Sequence, residues 1–338
     1  MKLKEATKLR FSNIIKRKKL KWGIAGCGRF SETAVLPVLT SLQRSQVVAV
    51  YSKDYNRAKT LGNKFAAQSA FSDYTEFLKS DFDIVYIGSK NADHYKQVME
   101  AARAGKHILC EKPLAITSVQ AREMVEECEK NNVVLSINYV HRFHPLSVKA
   151  KELIERGYLG KIVNITANFD IDYVPDENFR FRKEESGGGA LRDLGTHMID
   201  VLRFFGGEIA EAHGFVDNIV YKSEVDDFAG GIVKFERGGY GNFSCSFSVK
   251  KGFNRIEIIG HKGSLSIENL VGGRTKPVKL SINLEGEARK SFRRRGNKLL
   301  YRFRALQNDM LAGKRPEVNG ADGYRNMLIM ESIEHVSV

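Results

Sequence analysis

No stretch of this sequence approaches the length of unbroken apolar residues that a bilayer-spanning helix needs, so no stable membrane insertion is expected. Cysteine is scarce. Cys27, Cys110, Cys128 and Cys245 are scattered without metal-ligand spacing, so no metal site is expected and the thiols read as reduced, in a cytoplasm. No apolar core follows Lys16-Arg17-Lys18-Lys19, so the amino end does not read as a secretory signal. Nor is basic charge spread over the chain. The formal net charge is +14, but residues 1–21 hold nine Lys/Arg against Glu5, and residues 289–304 hold eight Lys/Arg and no acid. The remainder is near neutral, which argues against a general nucleic-acid surface. The two basic segments suit an acidic partner, an anionic lipid surface or an anionic substrate, or are solvated surface.

What is present is a chain of 338 residues, 42% hydrophobic and 28% charged, which is the composition of a globular protein long enough for two domains. Residues 1–20 form a basic extension. Its Leu3, Ala6, Leu9, Ile14 and Ile15 are spaced loosely for one helix face, so peripheral membrane contact there is one option.

The organising stretch is Trp22–Ser31, WGIAGCGRFS. It reads as the end of a buried strand, a glycine turn and a helix start, the phosphate cradle of a dinucleotide site. Gly26 makes the tight turn, and Gly28 lets a pyrophosphate approach the backbone. Ser31 stands at the third glycine position, where a small residue still permits close packing.

Apolar runs at Leu20–Ala25, Val47–Tyr51, Ile84–Ile87, His107–Cys110 and Val133–Asn138 read as buried strands. Residues 30–42, 54–66, 91–104 and 117–130 read as helices, and Thr117 and Gln120 have capping-box spacing. The alternation predicts a Rossmann-type, doubly wound parallel sheet over 21–145. After the second strand, Ser52, Lys53 and Arg57 suit a 2′-phosphate, which favours NADP(H), while Asp54 keeps NAD(H) open. Glu111-Lys112-Pro113 follows the fourth of these strands, at the sheet end where ligands bind, and puts a lysine in reach of chemistry. The expected cofactor contacts in these segments are Gly26, Gly28, Arg29, Phe30, Ser52, Lys53, Arg57 and Glu111.

Val163, Ile165, Ala167, Phe169 and Ile171 alternate with polar residues, as do Phe243, Cys245, Phe247 and Val249, which predicts half-buried antiparallel strands. Further strands are expected over 211–220, 227–236, 254–260, 264–268 and 278–283. Residues 146–338 thus read as a second domain of α+β type with a large, mainly antiparallel open sheet, one face on the core and the other solvated or buried in an oligomer. Its chemistry lies in Gly187–Asp200, where Asp193 and His197 are four apart on one helical face. That pairing suits a proton-moving histidine and an aspartate that steadies its charge. Asn178-Phe179-Arg180-Phe181 precedes the glycines, with Phe179 able to stack on a sugar and Arg180 able to bind a carboxylate or phosphate. His141 and His144 read as hinge or surface residues.

GIAGCGRFS, AGKHILCEKPL and GGGALRDLGTHMIDVL occur in order and at characteristic separations. On these motifs the chain resembles the glucose–fructose oxidoreductase / inositol dehydrogenase / rhizopine-catabolism family from Lys21 to its end. The resemblance implies oxidation or reduction of carbon–oxygen centres of sugars, polyols and related compounds with a nicotinamide cofactor. It maps catalytic roles onto Lys112, Asp193 and His197 and places Arg142 near the substrate. It also implies that residues 146–338 are the substrate-binding and oligomerisation domain, that the open sheet face is buried in a homodimer or homotetramer and that the last helix packs back on the first domain. It adds Ser89, Asn91 and His94 as expected cofactor contacts; one departure is Lys90, which stands where the family has proline, while Asn91 and His94 match. A nucleotide-sugar dehydrogenase serving surface-polysaccharide synthesis, and a non-enzymatic NAD(P)-binding regulator, are the competing readings.

Overall fold

Five of the six residues of β1 (Leu20–Ala25) are buried, and a strand buried on both faces belongs inside a sheet covered on both sides. The computed structural model describes residues 19–271 and 276–334. The expectations for residues 1–18 lie outside them. The parallel strands are β1, β2 (Ser45–Tyr51), β3 (Ser69–Phe71), β4 (Ile84–Ile87), β5 (His107–Cys110) and β6 (Leu135–Ile137), in the order β3-β2-β1-β4-β5-β6. The order reverses beside β1, and the carboxyl ends there form the crevice in which this class of sheet binds ligands.

The intervening helices are α1 (Leu36–Ser41), α2 (Tyr55–Lys64), α3 (Tyr74–Leu78), α4 (Asn91–Arg103) and α5 (Ser118–Lys130). Asp54, Asp73 and Thr117 cap α2, α3 and α5 by accepting the amides of Arg57, Glu76 and Gln120. The helix expected over 30–42 contains a π segment at Ser31–Val35, closed by Leu36 N–H on Ser31 O. The short β3 and α3 had no counterpart in the sequence reading.

Two compact units account for the described chain: residues through Asn138 with Leu299–Tyr324, and Tyr139–Lys298 with the residues from Arg325 on. In the first, Trp22 packs on Phe303 with ring centroids 5.5 Å apart. Its indole N–H donates to Ser45 Oγ (3.1 Å), which donates to Gln307 Oε1 (2.8 Å). Arg302 is 1% exposed and donates to the Ser136 hydroxyl and to Ile137 O (2.9 Å).

The second unit begins with the 3-10 turn Val140–Phe143 and α6 (Pro145–Glu155). It continues through β7 (Ile162–Asp170), the 3-10 turn Phe179–Phe181, the single-turn α7 (Lys183–Ser186), a second π segment at Leu191–Gly195 and α8 (Thr196–Gly206). The strands that follow are β8 (Ile209–Asp217), β9 (Phe228–Phe235), β10 (Tyr240–Ser246), β11 (Asn254–Gly260), β12 (Gly263–Glu268), β13 (Val278–Leu284) and β14 (Lys290–Arg294). Helices α9 (Lys298–Leu311) and α10 (Gly320–Glu334) follow.

The sheet order is β14-β13-β12-β11-β7-β10-β9-β8, antiparallel throughout except for the parallel β7–β10 pair. Ala167, Phe243, Cys245, Ile256, Ile267 and Leu280 form its buried face, against which α8 packs on β7 and β10, and α6 on β12 to β14. Thr166, Asn242, Glu257, Ser266 and Ser281 alternate with them on the open face. β14 is an addition to the expected strands. All five of its residues are exposed, so no apolar alternation marks it.

Candidate active site

In the first unit the glycine turn joins β1 to the helix start. Gly26 has φ +102°, and a Cβ there would lie 2.5 Å from the Gly88 carbonyl carbon. The loops after β1 and β4 therefore meet at a point that only glycine allows. A Cβ on Gly28 would meet nothing within 4 Å. The first helical bond runs from Glu32 N to Gly28 O (3.1 Å), so the amides of Arg29, Phe30 and Ser31 lie ahead of it in the first turn. Open space before a residue without Cβ, at a helix N-terminus, is what a pyrophosphate requires. These residues fit a nicotinamide dinucleotide. Ser31 is buried and donates to Gly26 O (2.6 Å), so the serine at the third glycine position ties the turn together. Arg29 and Phe30 are exposed beside it.

At the end of β2, Asp54 Oδ1 accepts Arg57 N–H (3.2 Å), so the Asp54 carboxylate faces its own helix. Ser52 Oγ accepts Asp54 N–H (3.3 Å), and Lys53 Nζ pairs with Asp93 Oδ1 of α4 (2.8 Å). In the loop after β4, Ser89 Oγ donates to Gln97 Oε1 (2.7 Å), and Asn91 opens α4 after the exposed Lys90.

The Glu111–Lys112–Pro113 turn is held from three sides. Glu111 Oε1 accepts the Tyr86 hydroxyl (2.9 Å) and Asn138 Nδ2 (2.6 Å). Burial raises its pKa from the ordinary value of 4.5, against these bonds and the Lys112 charge. The Lys112–Pro113 peptide is cis. His94 is fully buried, and its Nδ1–H donates to Pro113 O (3.0 Å). Burial lowers its pKa and favours this neutral tautomer. The histidine expected at the cofactor thus braces the lysine loop from α4.

In the second unit the glycine run ends against Asp226. Asp226 Oδ1 accepts Gly189 N–H (2.6 Å), its Oδ2 accepts Leu191 N–H (2.8 Å), and Ala190 N–H donates to Asp226 O (3.0 Å). A Cβ on Gly189 would lie 2.0 Å from that carbonyl oxygen. The run therefore provides close packing of backbone against backbone here. Beyond it the π segment places Asp193 and His197 on either side of an i→i+5 bond from Thr196 N–H to Leu191 O. Such widened turns concentrate at functional sites.

Asp193 Oδ2 lies 3.5 Å from Arg180 Nε, and the Arg180 guanidinium stands over the Phe179 ring at 4.9 Å. His197 meets His141 edge to face, with centroids 4.6 Å apart. His141 and His144 are both buried, so neither is a surface residue; they follow the boundary between the two units at Asn138 and Tyr139. Arg142 is buried too. Its Nε lies 3.1 Å from both Asp200 oxygens, and its Nη2 lies 2.5 Å from Oδ1. Asp200 sits one turn after His197, so this pair ties the Val140–Phe143 turn to α8.

Reading the sequence singled out neither Asp226 nor the bonds of Asp200 and Asn138. Their partners lie 37, 58 and 27 residues away, and no local pattern signals them. Among the described residues no group of three His, Cys, Asp or Glu side chains is arranged to hold a metal, and no helix is long and apolar enough to cross a membrane.

Residues 20–139 match the profile of an oxidoreductase family with an NAD-binding Rossmann fold, and residues 147–266 match the GFO/IDH/MocA C-terminal domain. The chain is 31% identical over 272 residues to trans-1,2-dihydrobenzene-1,2-diol dehydrogenase of Mus musculus, covering 79% of this chain and 78% of that protein. It superposes on aldose-aldose oxidoreductase from Caulobacter crescentus complexed with glycerol at TM-score 0.86 and 25% identity, over 94% and 97% of the two chains. A 3-ketoreductase from Actinomadura kijaniata, in complex with NADP and TDP-benzene, superposes at TM-score 0.82 and 22% identity, over 94% and 98%.

Proposed function

The chain belongs to the Gfo/Idh/MocA oxidoreductase family, and from that membership we propose that it moves a hydride between NAD(P) and the hydroxyl or ketone carbon of a sugar, polyol or sugar derivative. The observation that carries this reading is that its proton-handling candidates sit on segments pinned by buried polar bonds. His94 and Glu111 fix the Lys112 turn, and Asp226 fixes the start of the segment bearing Asp193 and His197. A side chain that transfers a proton must be held within hydrogen-bond reach of it.

The nicotinamide, when bound, supplies the hydride acceptor or donor. His197 takes the proton of the substrate hydroxyl on oxidation and returns it on reduction. Lys112 Nζ hydrogen-bonds the reacting oxygen, and Asp193 balances the charge that His197 gains. Phe179 and Arg180 border the sugar. Arg142 acts through its pair with Asp200, which fixes α8 behind His197. NADP(H) is favoured over NAD(H), because the Asp54 carboxylate is engaged as a helix cap and Ser52, Lys53 and Arg57 at the end of β2 are side chains suited to a 2′-phosphate. The exposed Phe215, Ile232 and Tyr240 on the open sheet face suit a second copy of the chain, in a homodimer or homotetramer working in the cytoplasm.

Calorimetric titration with NADP(H) and NAD(H), followed by turnover assays on sugars and polyols, tests the reading. His197→Ala is expected to lower kcat by ~10²–10⁴ with cofactor affinity unchanged. Unchanged turnover would remove the role of His197, and failure to bind either cofactor would remove the whole reading.

A further inference from the structure

Lys53 follows the end of β2, and Asp93 lies in the first turn of α4. Lys53 Nζ is 2.8 Å from Asp93 Oδ1. α4 follows β4, and β1 lies between β2 and β4 in the sheet. The pair therefore links the ends of the two strands that flank β1 and its glycine turn. Both charges are felt at Tyr51, the last residue of β2. Burial raises the Tyr51 pKa, the Lys53 charge lowers it and the Asp93 charge raises it, with Asp73 and Glu100 acting in the same sense as Asp93.

The neighbouring charges are already placed. Asp54 caps α2 by accepting Arg57 N–H. Burial raises the Cys27 thiol to about 12 and the Arg57 charge opposes it, so the field of Arg57 falls on the glycine turn. Two cations, Lys53 and Arg57, and two carboxylates, Asp54 and Asp93, thus gather after β2 and balance one another. In dinucleotide-binding sheets this strand end meets the adenosine ribose, where a carboxylate takes the 2′-hydroxyl of NAD(H) and a cation accommodates the 2′-phosphate of NADP(H). The phosphate brings about two negative charges at neutral pH. It has to draw Lys53 from Asp93 and then lie near the carboxylate left behind. The uncharged 2′-hydroxyl meets neither cost. The side chains of the pair are 71% and 27% exposed, and so exposed a pair exchanges its partner readily.

We propose that Asp93 sets the cofactor preference: by holding Lys53 on α4 it weakens the binding of NADP(H) and leaves that of NAD(H) as it is. The proposal rests on the nicotinamide reading above. Arg57 keeps NADP(H) ahead, by a smaller margin than Ser52, Lys53 and Arg57 alone would give.

The test is calorimetric titration of the full chain and its variants with NADP+ and NAD+, at low and at high salt. Asp93→Asn should tighten NADP+ by ~3–10-fold at low salt and leave NAD+ unchanged, because it removes a carboxylate near the added phosphate. The gain should shrink at high salt, where exposed charges are screened. Asp93→Glu keeps the charge and should keep the parent's ratio of affinities. Asp81→Asn removes a carboxylate that pairs with Lys21 at the opposite end of the sheet, and should change neither affinity. Lys53→Ala should cost more NADP+ affinity in the Asp93→Asn background than in the parent, since Lys53 there has no competing carboxylate on α4. An NADP+ to NAD+ ratio unmoved by Asp93→Asn overturns the proposal while the nicotinamide reading stands. Equal shifts for both cofactors overturn it too, and assign Asp93 to the stability of α4. A parent chain that binds neither cofactor overturns both.

Discussion

Asp170 and Gly189 show how one side chain, or the lack of one, sets a local energy. Asp170 ends β7 with 9% exposure, and burial raises its pKa to about 6 from 3.8. Between those values the unfolded chain has released its proton and the folded chain has not. Stability therefore falls as pH rises through that window and is level above it. Asp170→Asn is expected to raise the thermal midpoint at pH 7.5 and to change it little at pH 4. An equal change at both pH values would show that ionisation is not the cause. At Gly189 the cost is steric. Gly189→Ala drives a Cβ into the Asp226 carbonyl and should cost ~2 kcal/mol or more in urea unfolding, with loss of activity as the segment bearing Asp193 and His197 shifts. Gly157→Ala is the control. Its φ is +75° but the space around it is open, so only ~1 kcal/mol of left-handed strain is expected.

At the scale of elements, α6 depends on a histidine in an uncharged form. His144 caps it by accepting Leu146 N–H on Nδ1 (3.2 Å), which requires that nitrogen to be unprotonated. Burial, with the charges of Lys298 on α9 and Arg294 on β14, lowers the His144 pKa to about 4 from 6.5. As pH falls through this window the unfolded chain takes the proton first, so stability is full above 6.5 and is lost toward 4. His144→Asn preserves a good cap without titrating. Urea midpoints between pH 7 and 4, in an Asp170→Asn background that removes the opposing slope, should fall less steeply in this variant. Parallel slopes would clear His144.

Elements of this kind differ in how far they can be read from sequence. β1, β4 and β5 were legible because strands buried on both faces are written as unbroken apolar runs. β3 and α3 are three and five residues long, too short to show a period, and β14 exists by pairing with β13 rather than by any pattern in Lys290–Arg294. The π segments at Ser31–Val35 and Leu191–Gly195 read as ordinary helix, because one i→i+5 bond leaves the apolar spacing nearly unchanged. For the candidate site, Gly26, Gly28, Lys112, Asp193 and His197 were named by short motifs. The groups that hold those motifs, such as Asp226 and Asp200, come from distant parts of the chain and needed the fold to be found.

On the scale of the whole molecule, chain order and spatial order disagree, and a single residue reports on it. The first unit takes its nucleotide-binding strands from residues before Asn138 and completes its core with Leu299–Tyr324, after the whole large sheet has intervened. Trp22 is the only tryptophan, is fully buried in β1, and touches Phe303 of that returning segment. Its fluorescence therefore reads the closing of the first unit without interference from the second. Phe303→Ala should open a cavity beside the indole and cost ~3–5 kcal/mol. The native emission should shift to the red, and the Trp22 unfolding midpoint should fall. Gln307→Leu should give a smaller loss, because it removes only the last member of the chain from the Trp22 indole through Ser45. Tryptophan emission and urea midpoint unchanged by Phe303→Ala would mean that residues 299–324 do not complete this core. A red shift with a lowered midpoint would make the late segment a requirement for the stability of the nucleotide-binding unit, although it lies far from the glycine turn in sequence.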